Sequence, residues 1–394
     1  MALFADIEKQ IGDFHLQVSF EAGDEVFSIL GASGCGKSMT LKCIAGIERP
    51  DRGRIVLDGI TLFDSERHID LKPQQRRVGY LFQQYALFPN MTVRENIRCG
   101  ILGRNRGTVS GAGDVQIQEM IARMHLEGLE DLRPAQLSGG QQQRAALARI
   151  LISEPQILML DEPFSALDSH LRFQMEREVD AVARQFGKTV LLISHDRDEV
   201  FRMTDGIAIM ENGQLHAVGS RYEVFRDPKT VSGARLTGCK NIAEIGSTAG
   251  GSGTEGSGMV DVPLWGIRLK TASARPEATH VGVRMHDVHI LEPGKMPRRD
   301  QGLAAVPDSR QDRKPIPGDG REDTSRPCTE ETANIFRCRV TEEIENPFSY
   351  TVMLLAEGGR EPFGMEVNKH KWDACRRQEL DVYIPPQAVL LIKG

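Results

Sequence analysis

The sequence predicts an α/β fold built on a parallel sheet, followed by a smaller all-β domain. Three observations carry that prediction. A glycine-rich octapeptide, Gly31-Ala-Ser-Gly34-Cys-Gly36-Lys37-Ser38, precedes a helix-compatible stretch from Met39 to Gly46. Two apolar runs, Ile157-Leu-Met-Leu160 and Val190-Leu-Leu-Ile-Ser194, have the length and composition of buried parallel strands. Beyond residue 232 the chain turns to short strand-like segments separated by turns.

The octapeptide fits G-x-x-x-x-G-K-[ST], the phosphate loop of P-loop NTPases. Glycines let backbone N–H groups close around phosphate oxygens along a path that Cβ atoms would obstruct. The expected cradle comprises Gly31, Ser33, Gly34, Cys35, Gly36 and Met39. Lys37 would reach the β/γ-phosphates as a point charge, and the Ser38 hydroxyl would ligate Mg²⁺. The following helix would aim its N-terminal dipole at the anion. Taken alone, the same segment also reads as a glycine-rich turn opening a helix. The first apolar run ends in Asp161-Glu162-Pro163, and a strand's C-terminal edge is where an α/β sheet places ligands. Asp161 would hold Mg²⁺ and Glu162 would orient or deprotonate water, while the second run delivers His195 to the same edge.

Between these segments lies Leu137-Ser138-Gly139-Gly140-Gln141, followed by Gln142-Gln143-Arg144. With Leu81-Phe82-Gln83 and Ser165-Ala166-Leu167-Asp168, six motifs stand in one order. The chain thereby resembles the nucleotide-binding subunit of an ATP-binding cassette (ABC) transporter over nearly its full length. The resemblance implies a cassette with a helical subdomain that hydrolyses ATP with Mg²⁺. It assigns Glu162, His195 and Gln83 to catalysis, and Ser38, Gln83 and Asp161 to Mg²⁺. It implies a head-to-tail homodimer, in which Ser138, Gly139, Gly140 and Gln141 of one copy close over the γ-phosphate of the other, with Asp168 communicating across the dimer. Residues 84–89 would start the helical subdomain that touches an integral membrane permease, itself served by an extracytoplasmic solute-binding protein. Plain readings stand beside these: Ser138 and Asp168 as helix N-caps, His195 as a structural or surface histidine. The family's adenine-stacking aromatic is indistinct: the N-terminal strands read as short, over 12–20, and no residue there declares itself. Phe14 is the candidate, with core packing as the other reading.

The resemblance implies a peripheral subunit on the cytoplasmic face of the membrane, and composition agrees with a soluble subunit. The chain has 394 residues, 26% charged and 40% hydrophobic, too long for one ordinary domain. No apolar run reaches the ~18–20 residues that span a bilayer, and the N-terminus lacks a signal peptide's pattern. Net charge is −6, which argues against nucleic-acid partners. Seven cysteines without metal-type spacing read as reduced thiols. Cys35, near a helix N-terminus, is expected to have a lowered pKa and to block hydrolysis when alkylated.

The cassette is expected to span 1–232, its last two strands joined by an Asn212-Gly213 hairpin, with amphipathic helices over Ser220 to Thr237. A small OB-like β-barrel regulatory domain is expected over 233–292 and 335–394. Its strands are placed at 265–269, 280–284, 336–340, 350–355 and 388–392. A Gly/Ser-rich loop is placed at 246–258, and residues 293–334 read as a disordered insertion poor in large apolar residues. The absence of fused membrane helices, a second cassette or a coiled-coil insert favours an importer over an exporter or a non-transport ABC ATPase. The short N-terminus, the segment 64–80 and the barrel together look most like molybdate importer ATPases, with sulfate/thiosulfate ATPases next. In some relatives the barrel binds the oxyanion, a task open here to Lys240 and Asn241.

Overall fold

The computed structural model describes residues 2–104, 111–165, 169–249, 258–291 and 334–394. The chain divides into two compact units, Met1–Pro228 and Lys229–Gly394.

The first unit is organised by an eleven-stranded sheet. Its strands are β1 (Leu3–Ile11), β2 (Phe14–Ala22), β3 (Val26–Leu30), β4 (Arg52–Leu57), β5 (Ile60–Asp64) and β6 (Ile69–Asp70). They continue with β7 (Val78–Leu81), β8 (Ile157–Asp161), β9 (Val190–Ser194), β10 (Gly206–Glu211) and β11 (Gln214–Ser220). In space the order is β6-β5-β4-β1-β2-β11-β10-β3-β9-β8-β7. The segment β3-β9-β8-β7 is wholly parallel. Every residue of β3, β8 and β9 is buried, as continuous apolar runs require when helices cover both faces. The N-terminal reading needs correction. Instead of short strands over 12–20 there is a hairpin of two nine-residue strands, Leu3–Ile11 and Phe14–Ala22. In β1 the buried positions include Leu3, Ala5 and Ile7, interleaved with Phe4, Asp6 and Glu8. So small an apolar face is hard to see before its partner strand is known.

Helix α1 (Lys37–Ala45) follows β3 through the phosphate loop. Helices α2 (Val93–Arg104), α3 (Gly111–Arg123) and α4 (Gly139–Leu151) share a separate apolar cluster built on Ile97, Ile117, Ile121, Leu126, Ala145 and Ala148. Helix α5 (Ser169–Phe186) packs Met175, Val179 and Ala183 under β8 and β9. Helix α6 (Arg197–Met203) follows β9, and α7 (Arg221–Arg226) follows β11. Among the described residues no helix is long and apolar enough to cross a membrane.

The second unit starts with α8 (Val231–Leu236) and is otherwise almost entirely β. Its strands are β12 (Asn241–Glu244), β13 (Ser247–Ala249), β14 (Gly258–Val262), β15 (Ile267–Thr271), β16 (His280–Val283) and β17 (His289–Ile290). After them come β18 (Ile335–Glu345), β19 (Ser349–Ala356), β20 (Phe363–Asn368), α9 (Lys369–Cys375), β21 (Glu379–Tyr383) and β22 (Val389–Ile392). Three antiparallel sheets, β12-β16-β22, β13-β14-β15 and β17-β21-β18-β19-β20, surround one core containing Trp265, Phe363 and Trp372. This is consistent with a small OB-like barrel. Residues 247–249 of the expected loop are strand, paired with 259–261; residues 250–257 lie outside the described set. Of the expected insertion, 293–333 also lie outside it. Asn334 is folded and buried, its amide bonded at both ends to the Lys270 backbone. The long strand β18 runs to Glu345 rather than 340, because pairing with β19 supports polar residues that alternation alone does not mark.

One buried charge ties the first unit together. The Arg76 guanidinium donates to Cys43 O and Ile44 O (2.9 and 2.8 Å) at the C-terminal end of α1, and to Leu71 O. It pairs with Asp70 at 2.9 Å. A cation there satisfies orphan carbonyls and the helix dipole together. Arg76→Ala strands the carbonyls and leaves a void. We expect it to destabilise this unit by about 3 kcal/mol in urea unfolding.

Candidate nucleotide site at the sheet edge

Parallel register brings four loops to one edge. Leu30 pairs with Ser194, Asp161 with Ile193, and Leu81 with Leu160, so the phosphate loop, Glu162, Gln83 and His195 all leave neighbouring strand ends. The phosphate loop is cramped by design. A Cβ on Gly31 would sit 2.4 Å from Met210 O. Gly36 has φ of 111°, which an L side chain resists. Phe14 is partly buried against the core, and a Cβ built on Gly36 would lie 3.1 Å from its Cζ. Both readings of Phe14 are thus compatible with its position.

Lys37 is buried, and its ammonium donates to Gly31 O and Ala32 O, both at 2.8 Å. Glu162 Oε1 lies 4.0 Å from it. The other Glu162 oxygen lies 3.5 Å from His195 Nδ1. Glu162 takes a left-handed φ of 46°, an uncommon conformation that turns the chain sharply at the end of β8. Its backbone N–H donates to Ile193 O, and its carbonyl accepts from the Ser165 hydroxyl. His195 is half-exposed. Lysine, carboxylate and imidazole therefore form one chain of charged or ionisable groups beside the loop.

Asp161 is buried with both oxygens engaged. The Ser38 hydroxyl donates to Oδ1 and the Tyr80 hydroxyl to Oδ2, each at 2.7 Å. Burial and the neighbouring carboxylate push the Tyr80 phenol up, so it stays a neutral donor. Tyr80 escaped the sequence reading. The signal lies in register: Tyr80 pairs with Met159, which shares a strand face with Asp161. Of the three expected metal ligands, Ser38 and Asp161 are brought together. Gln83 instead donates to Ser165 Oγ at 3.1 Å.

The segment 138–141 opens α4. Ser138 is its N-cap in a reciprocal capping box with Gln141. A Cβ on Gly140 would lie 2.9 Å from Met175 Sδ, so this glycine lets α4 approach α5. Among the described residues no hydrogen bond or ion pair joins 138–141 to 31–38. Asp168 lies outside the described residues.

The expected lowering of the Cys35 pKa is reversed. The thiol is buried, and burial pushes its pKa up despite Lys37, which pulls the other way. The short reach of a dipole does not compensate for lost hydration.

With this geometry in view, comparison with known proteins is decisive. The ABC transporter family profile matches residues 15–165. A spermidine/putrescine import ATP-binding protein of Nitratidesulfovibrio vulgaris is 40% identical over 270 residues, covering 68% of this chain and 70% of that one. The chain belongs to the ATP-binding subunits of ABC importers. ATP hydrolysis coupled to import is the general activity of this family. A molybdenum import ATP-binding protein of Paramagnetospirillum magneticum is 36% identical over 293 residues, covering 73% of this chain and 78% of that one. Among solved structures, CbiO1 of Clostridium perfringens, part of an ABC transporter complex, is similar at 27% identity and a TM-score of 0.51. It covers 60% of this chain and 94% of that one.

Two outcomes follow. Tyr80→Phe removes one donor from a buried carboxylate and should cost about 1–2 kcal/mol in chemical unfolding with unchanged far-UV circular dichroism. In the native ABC subunit, a thiol reagent should modify Cys35 more slowly than the half-buried Cys99 and Cys375; peptide mass mapping should show the difference vanish in denaturant.

Proposed function

We propose that Lys37, Ser38, Asp161, Glu162 and His195 form the ATP-hydrolysing site of this importer subunit. The observation that carries the reading is the contact chain Lys37–Glu162–His195 beside the Ser38–Asp161 pair. The Ser38 hydroxyl and Asp161 carboxylate are adjacent hard oxygen donors, a set that suits Mg²⁺ completed by phosphate oxygens and water. Held there, Mg²⁺ would neutralise charge on the β- and γ-phosphates.

Lys37 exchanges its loop carbonyls for phosphate oxygens as ATP enters. Glu162 accepts a proton from the attacking water, and His195 hydrogen-bonds a γ-phosphate oxygen. Gln83 positions that water from its place beside Ser165. Ser138, Gly139, Gly140 and Gln141 of a second copy close the site head to tail, with Asp168 at the seam. Residues 84–89 lead to the permease, which places the subunit on the cytoplasmic face of the membrane. Glu162→Gln should retain ATP binding and lower turnover about 10²-fold or more, because it removes the base and leaves the phosphate contacts. Lys37→Ala should weaken ATP binding itself. Equilibrium binding of a fluorescent ATP analogue, run beside steady-state hydrolysis, separates the two; wild-type turnover in Glu162→Gln would refute the base assignment.

For the transported solute we propose an oxyanion, molybdate first and sulfate second. The molybdenum relative aligns over a longer stretch than the polyamine one, 293 against 270 residues. Polyamine import is the second reading, favoured by the higher identity and by the nine-residue N-terminal strands. Uptake of labelled molybdate, with excess sulfate or spermidine as competitor, discriminates. Loss of sulfate-resistant uptake on deleting this chain supports molybdate. Loss of spermidine uptake alone moves the assignment to polyamines.

A further inference from the structure

A small cavity shares Glu162 and His195 with the site above, and Ser165, Ser194 and Glu199 also line it. It offers about 10 Å³ to the centre of a water-sized sphere, room for one water. Glu199, in the first turn of α6, is only 4% exposed, and its Oε1 has no hydrogen-bond partner. A buried orphan oxygen beside a polar hole of this size is where proteins keep an internal water.

The Glu199 carboxyl also interacts with the Ser194 hydroxyl. Ser194 immediately precedes His195, and its Oγ accepts from Asp196 N at 2.9 Å. The Glu199 carboxyl therefore holds the chain on both sides of His195 through one serine.

We propose that Glu199 is a positioning residue for His195, gripping Ser194 directly and reaching the Glu162–His195 pair through a single buried water. This rests on the reading that Glu162 and His195 act on the γ-phosphate. The surroundings keep the carboxyl protonated at neutral pH. Burial is the largest cause. Glu176 on α5 and Asp196 add to it, while Ser194 and Arg172 oppose it, and the pKa is pushed up to about 8. Glu176 is neutralised by Arg202 and Asp196 pairs with Arg172, so neither cation is devoted to Glu199. Ionisation would place a second anion in the cavity with Glu162 and draw water toward it, loosening the grip on Ser194.

The test is the pH profile of ATP hydrolysis by the intact transporter, each variant scaled to its own rate at pH 7. Wild-type turnover should fall several-fold as pH rises through about 8, and Glu199→Gln, which keeps a neutral donor and acceptor, should abolish that fall. Ser194→Ala should move the fall to higher pH, because Ser194 favours the ionised form. An unchanged alkaline limb in both variants overturns the proposal. Thermal unfolding tests the protonation independently. A carboxyl raised from 4.5 to about 8 lends stability that is complete below 4.5 and lost as pH rises to 8. The Tm of Glu199→Gln relative to wild type should therefore climb between about pH 5 and 8 and then level. A constant difference also overturns the proposal. If Glu162→Gln retained turnover while this Tm difference climbed, the catalytic reading would fail and the buried neutral Glu199 would stand.

Discussion

Parallel backbone pairing of β3, β9, β8 and β7 is the constraint on which the site depends. Strands β3, β9 and β8 are paired on both sides and the edge strand β7 is held by β8, so each exit point is fixed to within the slack of a peptide ladder. The loops at 31–38, 83, 162 and 195, drawn from distant parts of the sequence, inherit that precision at one edge. Apolar burial provides the force: β3, β8 and β9 expose none of their residues, and a one-residue slip in register would turn Asp161 to the opposite face of the sheet, away from Ser38 and Tyr80.

Around that edge, polar groups are satisfied in an order that suits phosphate chemistry. The loop carbonyls and Glu162 surround a buried ammonium, and His195 meets the far side of Glu162; two hydroxyls hold a buried carboxylate. None of these contacts is strong alone. Their value lies in low local dielectric and fixed direction, which reduce the reorganisation needed when a phosphate arrives. The same low dielectric works against Cys35, whose thiol becomes less acidic inside the loop than the helix terminus alone would make it. Glu199 shows the effect at greater depth, where burial pushes a carboxyl up to about 8.

Gly140 and Ser138 illustrate how one segment serves two ends. The capping box orders the start of α4, and the missing Cβ lets α4 lie against Met175 of α5. Neither use competes with presenting amides to a nucleotide on another copy. Packing and the proposed nucleotide contact would therefore draw on the same residues, and substitutions there would act on both.

The amino-acid sequence by itself determined the fold class of the first unit, the loop 31–38, the carboxylates at 161 and 162 and the histidine at 195. These are written in local signals: glycine spacing, continuous apolar runs and the residues that follow them. Tertiary structure alone decided the rest. The β1–β2 hairpin needed a partner strand to reveal so small an apolar face, and Asn334 needed the Lys270 backbone. Tyr80 meets Asp161 only through strand register, Arg76 caps α1 from thirty residues away, and Glu199 acquires its character from burial. Contacts of that kind depend on which distant groups share a low-dielectric space, and linear spacing carries no record of it.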